Sequence, residues 1–163
     1  MRYAKITGRV KYDIASGLTE AMQKVQVKHF SAVTNPKEIG FLLRDIDAYQ
    51  GHFAVLFYLK ILPYVFTRPS ELRLAKWQEL DLEKNVLNIP AGRMKMRREH
   101  IVPLAEQVVE LLRELRQYSG NSEFLFPGTR TITAPISDMS GLNALRRLGY
   151  PNTRTCAFRC RRL

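Results

Sequence analysis

Arg68 stands between a long apolar run, Phe53 to Phe66, and Pro69, a residue suited to the first position of a helix. A helix opening at Pro69 directs the positive end of its dipole at this arginine, which disfavours a cation there. The placement makes sense if the guanidinium and the free N–H groups of that helix end converge on one anion such as a phosphate. Glu71, three residues on, can hold the guanidinium in place. A surface arginine with an incidental i,i+3 glutamate satisfies the same spacing. A second cluster, Arg93, Lys95, Arg97 and Arg98, places four basic residues and no acid between positions 93 and 98. On a turn between two strands such a cluster can reach into a groove or close over a backbone phosphate. A lysine there, its pKa lowered by neighbouring cations, can also protonate a leaving oxygen. A solvated basic turn fits the composition as well.

The whole chain shares this bias. Its 163 residues hold 26 Lys+Arg against 15 Asp+Glu, a formal charge of +11, which makes a polyanion the expected large partner. Six arginines and no acid lie between Ala144 and Leu163, among them Arg146 and Arg147, so a second positive surface is expected. Cys156 and Cys160 have no further Cys or His beside them to complete a zinc set and are read as free thiols. No metal site is expected. No apolar stretch is long enough to span a membrane and the N-terminus lacks an apolar signal core, so no membrane partner is expected and the location is read as cytoplasmic.

The elements that must position these residues are mainly helical. Asn35 is a cap, Pro36 suits the first helical position, and Glu38 stands where it can bond back; Ile39, Leu42, Leu43 and Ile46 give that helix one buried face. The run from Phe53 to Phe66 is apolar nearly all round and predicts a central buried helix. Pro69 opens another, expected to carry Leu72, Leu74 and Trp77. Val86 to Ile89 and His100 to Leu104 predict two strands of a hairpin or small three-stranded sheet. A helix with Val108, Leu111, Leu112 and Leu115 on one face follows, and a last one is predicted from Ser137 to Gly149. The expected fold class is mainly α with a small antiparallel β-sheet.

Thr67-Arg-Pro-Ser-Glu-Leu72, with Ala75-Lys-Trp77 and Asp81, resembles the segment around the first catalytic arginine of tyrosine recombinases, in the phage-integrase branch of prophages and islands. Arg93-Met-Lys-Met-Arg-Arg-Glu-His-Ile-Val-Pro-Leu104 resembles that family's β-hairpin, with Lys95 in the place of its catalytic lysine. Phe124-Leu-Phe-Pro127 and Asn143 to Tyr150 match the same branch. The resemblance implies an incomplete recombinase catalytic domain at 30–163, preceded at 1–29 by the end of a core-binding domain and linker. It implies attack of a tyrosine on a DNA phosphodiester, leaving a 3′-phosphotyrosyl link and a free 5′-hydroxyl, without metal or other cofactor. Arginines stabilise the pentacoordinate phosphate and the hairpin lysine protonates the leaving oxygen.

Beyond Tyr150 the pattern departs. Arg159 takes the place of the second arginine, but Cys156 stands where the family has a histidine, and none of the seven tyrosines follows Arg159. The expected catalytic set is therefore Arg68, Lys95 and Arg159, with Glu71 behind Arg68 and with Arg93, Arg97, Arg98, Arg146 and Arg147 on DNA. The expectation is a truncated prophage-derived integrase fragment that binds double-stranded DNA and is catalytically inactive. Association with full-length integrase, self-association, and an unrelated basic nucleic-acid-binding module are the rival readings.

Overall fold

A computed structural model of the chain describes residues 2–12, 35–94 and 97–151. Lys95, Arg159, Cys156, Cys160 and, of the expected N-terminal unit at 1–29, residue 1 and residues 13–29 lie outside the described residues. In chain order the elements are α1 (Arg2–Ile6), α2 (Pro36–Asp47), α3 (Phe53–Val65), α4 (Pro69–Arg73), β1 (Leu80–Asp81), β2 (Val86–Ile89), β3 (His100–Pro103), α5 (Glu106–Ser119) and α6 (Asp138–Arg147). Short 3₁₀ turns at Trp77–Glu79 and Ala91–Arg93 flank the sheet. The fold is mainly helical with one small antiparallel sheet.

The centre is α3. Val55, Phe57, Tyr58, Leu59, Ile61, Leu62 and Val65 are all buried, which no single amphipathic stripe could achieve, and α2, α4, α5 and α6 all pack on this helix. The other helices each contribute one face: Leu42 and Ile46 from α2, Val108, Leu112 and Leu115 from α5, Ala144 and Leu145 from α6. Tyr58 meets Phe126 edge-on at 5.5 Å between centroids, which ties the 124–127 link to the core.

Element ends follow local chemistry. The Asn35 side chain accepts the Lys37 N–H at 3.0 Å, and Pro36 opens α2 as expected. At the far end of the domain, α6 closes with two bonds of a Schellman turn, Tyr150 N–H to the Leu145 carbonyl and Gly149 N–H to the Arg146 carbonyl. Gly149 takes the left-handed conformation this needs, at φ +93°. The Tyr150 hydroxyl then reaches the Asp45 carboxylate at 2.5 Å and ties this end to α2. Ser137 stands at the cap of α6, but its hydroxyl pairs with that of Ser140.

One expectation fails. The helix opened by Pro69 stops at Arg73 and does not carry Trp77. Residues after Leu74 leave the helix because a better set of backbone partners is available across the molecule. Leu125 N–H donates to the Ala75 carbonyl at 2.9 Å, Trp77 N–H to the Glu123 carbonyl at 3.1 Å, and Lys76 forms an antiparallel bridge with Phe124. Trp77 Nε1 also donates to the Ser119 carbonyl at 3.2 Å. The sheet runs β1-β2-β3, with Leu80 opposite Leu87 and the β2–β3 hairpin in register from Val86 opposite Pro103 to Ile89 opposite His100.

The cap of α3 is a histidine: Nδ1 of His52 accepts the Ala54 N–H at 3.3 Å, which requires that nitrogen to be unprotonated. Desolvation lowers the His52 pKa from its ordinary 6.5. Near pH 6 the unfolded chain therefore holds more of this proton than the folded one, so stability is present above 6.5 and falls as pH drops through the lowered folded value. Denaturant melts of wild type and His52→Asn between pH 7.5 and 5 should diverge, the wild type losing a component of stability that the asparagine cap retains. Parallel curves would show that the cap does not titrate.

Candidate nucleic-acid interface

The site is built on the junction between α3 and α4. The apolar helix ends at Phe66, whose backbone is left-handed at φ 47°, ψ 17°. For a bulky L-residue this costs about 1 kcal/mol. Thr67 is buried, and Arg68 takes extended angles of φ −69°, ψ 143°, where Pro69 disfavours a helical residue before it. The Tyr58 hydroxyl donates to the Pro69 carbonyl at 3.2 Å and fixes the first residue of α4 to the central helix.

Glu71 grips Arg68 from two sides. One carboxylate oxygen accepts the Arg68 backbone N–H at 2.9 Å and the other accepts its guanidinium at 2.8 Å. Glu71 is only 6% exposed, so a charge on its carboxylate requires such a partner. The Arg68 side chain remains 37% exposed. Among the described residues its guanidinium has Glu71 alone as a hydrogen-bond partner, so the other N–H groups are available to an anion. The convergence of helix dipole and arginine expected from the sequence is reduced, because α4 has five residues and the Arg68 N–H at its start is already taken by Glu71. The guanidinium, with one partner and partial exposure, is the group left with donors to offer.

The basic hairpin divides. Arg93, expected to face DNA, is turned inward: its guanidinium donates to the Leu74 carbonyl and pairs with the Glu79 carboxylate, and its side chain is only 19% exposed. Both acceptors lie just after α4, so Arg93 bolts the root of the hairpin to the segment that carries Arg68. Arg97 and Arg98 are exposed, and Arg97 adopts φ 50° in a turn closed by its N–H on the Met94 carbonyl at 2.9 Å. Arg146 and Arg147 are exposed in the last turn of α6, where the helix dipole favours cations whether or not anything binds. Their placement is compatible with DNA contact and with simple solvation.

Two positioning residues are missing from the sequence reading. Glu79 receives both the Lys76 N–H, at 3.0 Å, and the Arg93 guanidinium; its Lys76-x-x-Glu79 spacing is the signal that was there to find. Arg73 joins α4 to the start of α6 through the Ile136 carbonyl at 2.7 Å and Asp138 at 2.5 Å, a pairing 63 or more residues apart that no local pattern announces.

The geometry so far is that of a helical domain with an arginine clamp and a basic hairpin, and solved structures share its fold. The chain resembles the Tn1549 transposon integrase, solved in complex with transposon right end DNA, with a TM-score of 0.72 at 16% identity over 96% of this chain and 59% of that one. It resembles a lambda integrase dimer bound to a COC′ core site with a TM-score of 0.67 at 14% identity, over 97% of this chain and 46% of that one. The fold is that of a tyrosine recombinase catalytic domain. At the level of sequence, residues 33–159 match the model of the phage integrase family. The chain is 36% identical to the integrase of Enterobacteria phage P4 over 162 residues, covering 92% of this chain and 37% of that protein. It is 35% identical to the prophage integrase IntS of Escherichia coli (strain K12) over 150 residues, 91% of this chain and 39% of that protein. The chain belongs to the phage integrase family, and it spans well under half the length of these curated relatives.

Replacing Arg93 by lysine tests the bolt. A single ammonium cannot serve both the Leu74 carbonyl and Glu79 as the planar guanidinium does. Arg93→Lys should lower unfolding free energy by about 1–2 kcal/mol and speed amide exchange in β3; unchanged stability and unchanged exchange would mean that the hairpin root is held by the sheet alone.

Proposed function

We propose that this chain provides the DNA-gripping part of a site-specific recombinase, with Arg68 as a ligand of the scissile phosphate. The observation that carries this reading is the Arg68–Glu71 clamp: a guanidinium oriented by a buried carboxylate yet open to solvent, on the segment that resembles the family's first catalytic arginine. In the same reading Arg159 is the second phosphate-binding arginine and Lys95, on the hairpin whose root Arg93 fixes, hands a proton to the departing 5′-oxygen. Arg97, Arg98, Arg146 and Arg147 contact the duplex backbone on either side. The phage and prophage integrases that the chain resembles, and the DNA-bound solved neighbours, support duplex DNA as the partner.

Strand cleavage needs a nucleophile in addition to these groups. All seven tyrosines of the 163 residues precede Arg159, and three of them already have packing or hydrogen-bonding roles: Tyr58 in the core, Tyr118 against Phe53, Tyr150 on Asp45. A polypeptide of these 163 residues therefore binds DNA without forming a phosphotyrosyl link.

Duplex binding across a salt series tests the first half, and a nicked suicide substrate tests the second. Wild type should bind, Arg68→Ala should bind more weakly with the log–log salt slope reduced by about 1, and no covalent adduct should appear. Equal slopes for the two proteins would remove Arg68 from the phosphate; an adduct would show that one of the seven tyrosines is in reach.

A further inference from the structure

Phe66 is held in a left-handed conformation that glycine or asparagine adopts more readily, yet its side chain contributes nothing to the interior. It is 63% exposed and stands outside the core cluster. Two other exposed aromatics have partners, Phe41 with Arg44 4.8 Å over its ring and Tyr118 stacked on Phe53 at 5.6 Å, while Tyr3, Tyr12 and Tyr64 are exposed tyrosines on ordinary backbone. Phe66 has no ring or cation partner among the described residues. Exposure alternates along the junction, 63% at Phe66, 4% at Thr67 and 37% for the Arg68 side chain, so the ring and the guanidinium both face outward while Thr67 between them points in.

An exposed apolar ring two residues before an open guanidinium is complementary to a nucleotide, whose phosphate takes charged hydrogen bonds and whose deoxyribose presents C–H groups. We propose that Phe66 is a DNA-contacting residue, its ring lying against the sugar of the nucleotide whose phosphate Arg68 holds. The inference rests on the reading of Arg68 as a phosphate ligand and adds an apolar contact to it. It accounts for an aromatic residue at a position where the backbone disfavours one and the core does not use it.

Anisotropy titrations of a labelled duplex with wild type, Phe66→Gly, Phe66→Asn, Phe66→Tyr and Arg68→Ala, each over a NaCl series, separate the two readings. Glycine and asparagine accept the left-handed turn, so both variants should melt at or above the wild-type temperature. Both should bind about fivefold more weakly, the loss expected for one apolar contact, with the salt slope unchanged because no counterion is involved. Phe66→Tyr should bind as wild type. If Phe66→Gly and Phe66→Asn bind like wild type while Arg68→Ala loses slope, the ring contact is refuted and the phosphate reading stands. If Arg68→Ala matches wild type in affinity and slope, or wild type binds no duplex, both are overturned.

Discussion

The Glu71 carboxylate is the group on which the site depends. Buried beneath Arg68, it accepts one hydrogen bond from the backbone and one from the guanidinium of the same residue. A carboxylate in this environment cannot be left unpaired, so Arg68 is constrained both in backbone direction and in side-chain rotamer. A surface arginine free to sample its rotamers would lose roughly 2 kcal/mol of conformational entropy on seizing a phosphate; one already held by its own i+3 glutamate has surrendered much of that freedom in folding. Preorganisation and charge are thus delivered by two residues of one helical turn.

That turn is in place because α3 is. An all-round apolar helix can be stable only when covered on every side, and α2, α4, α5 and α6 supply the cover. Tyr58 then hands a hydrogen bond from the core to Pro69, and Arg73 carries the connection on to α6. On the other side, Glu79 and Arg93 join the hairpin root to the chain immediately after α4. The two basic features are therefore linked through side chains that are themselves mostly covered and paired.

Much of this was legible in the residues. The apolar run at 53–66, the Asn35-Pro36 start, the two strands and the Gly149 stop are short-range signals whose physics is complete within a few residues, and the structure has each of them. Glu71 was legible as the partner of Arg68 for the same reason. The length of α4 was not, because Ala75 to Trp77 are drawn out of the helix by backbone partners at 123–125 that no local pattern reveals. Nor was the inward turn of Arg93: composition shows a basic cluster, but only the position of the Leu74 carbonyl and Glu79 decides which member of it is used inside. The left-handed Phe66 was also hidden, since nothing in a phenylalanine announces positive φ.

The proposed role of the clamp comes down to one contact, between the Arg68 guanidinium and a particular backbone phosphate, and coupling measures it directly. A duplex would be replaced at one phosphate at a time by a neutral methylphosphonate and titrated with wild type and Arg68→Ala. At one position neutralisation should weaken wild type but have no further effect on Arg68→Ala, the signature of a shared interaction. Strictly additive losses at every position would show that Arg68 meets no phosphate, and the clamp would be only a helix cap.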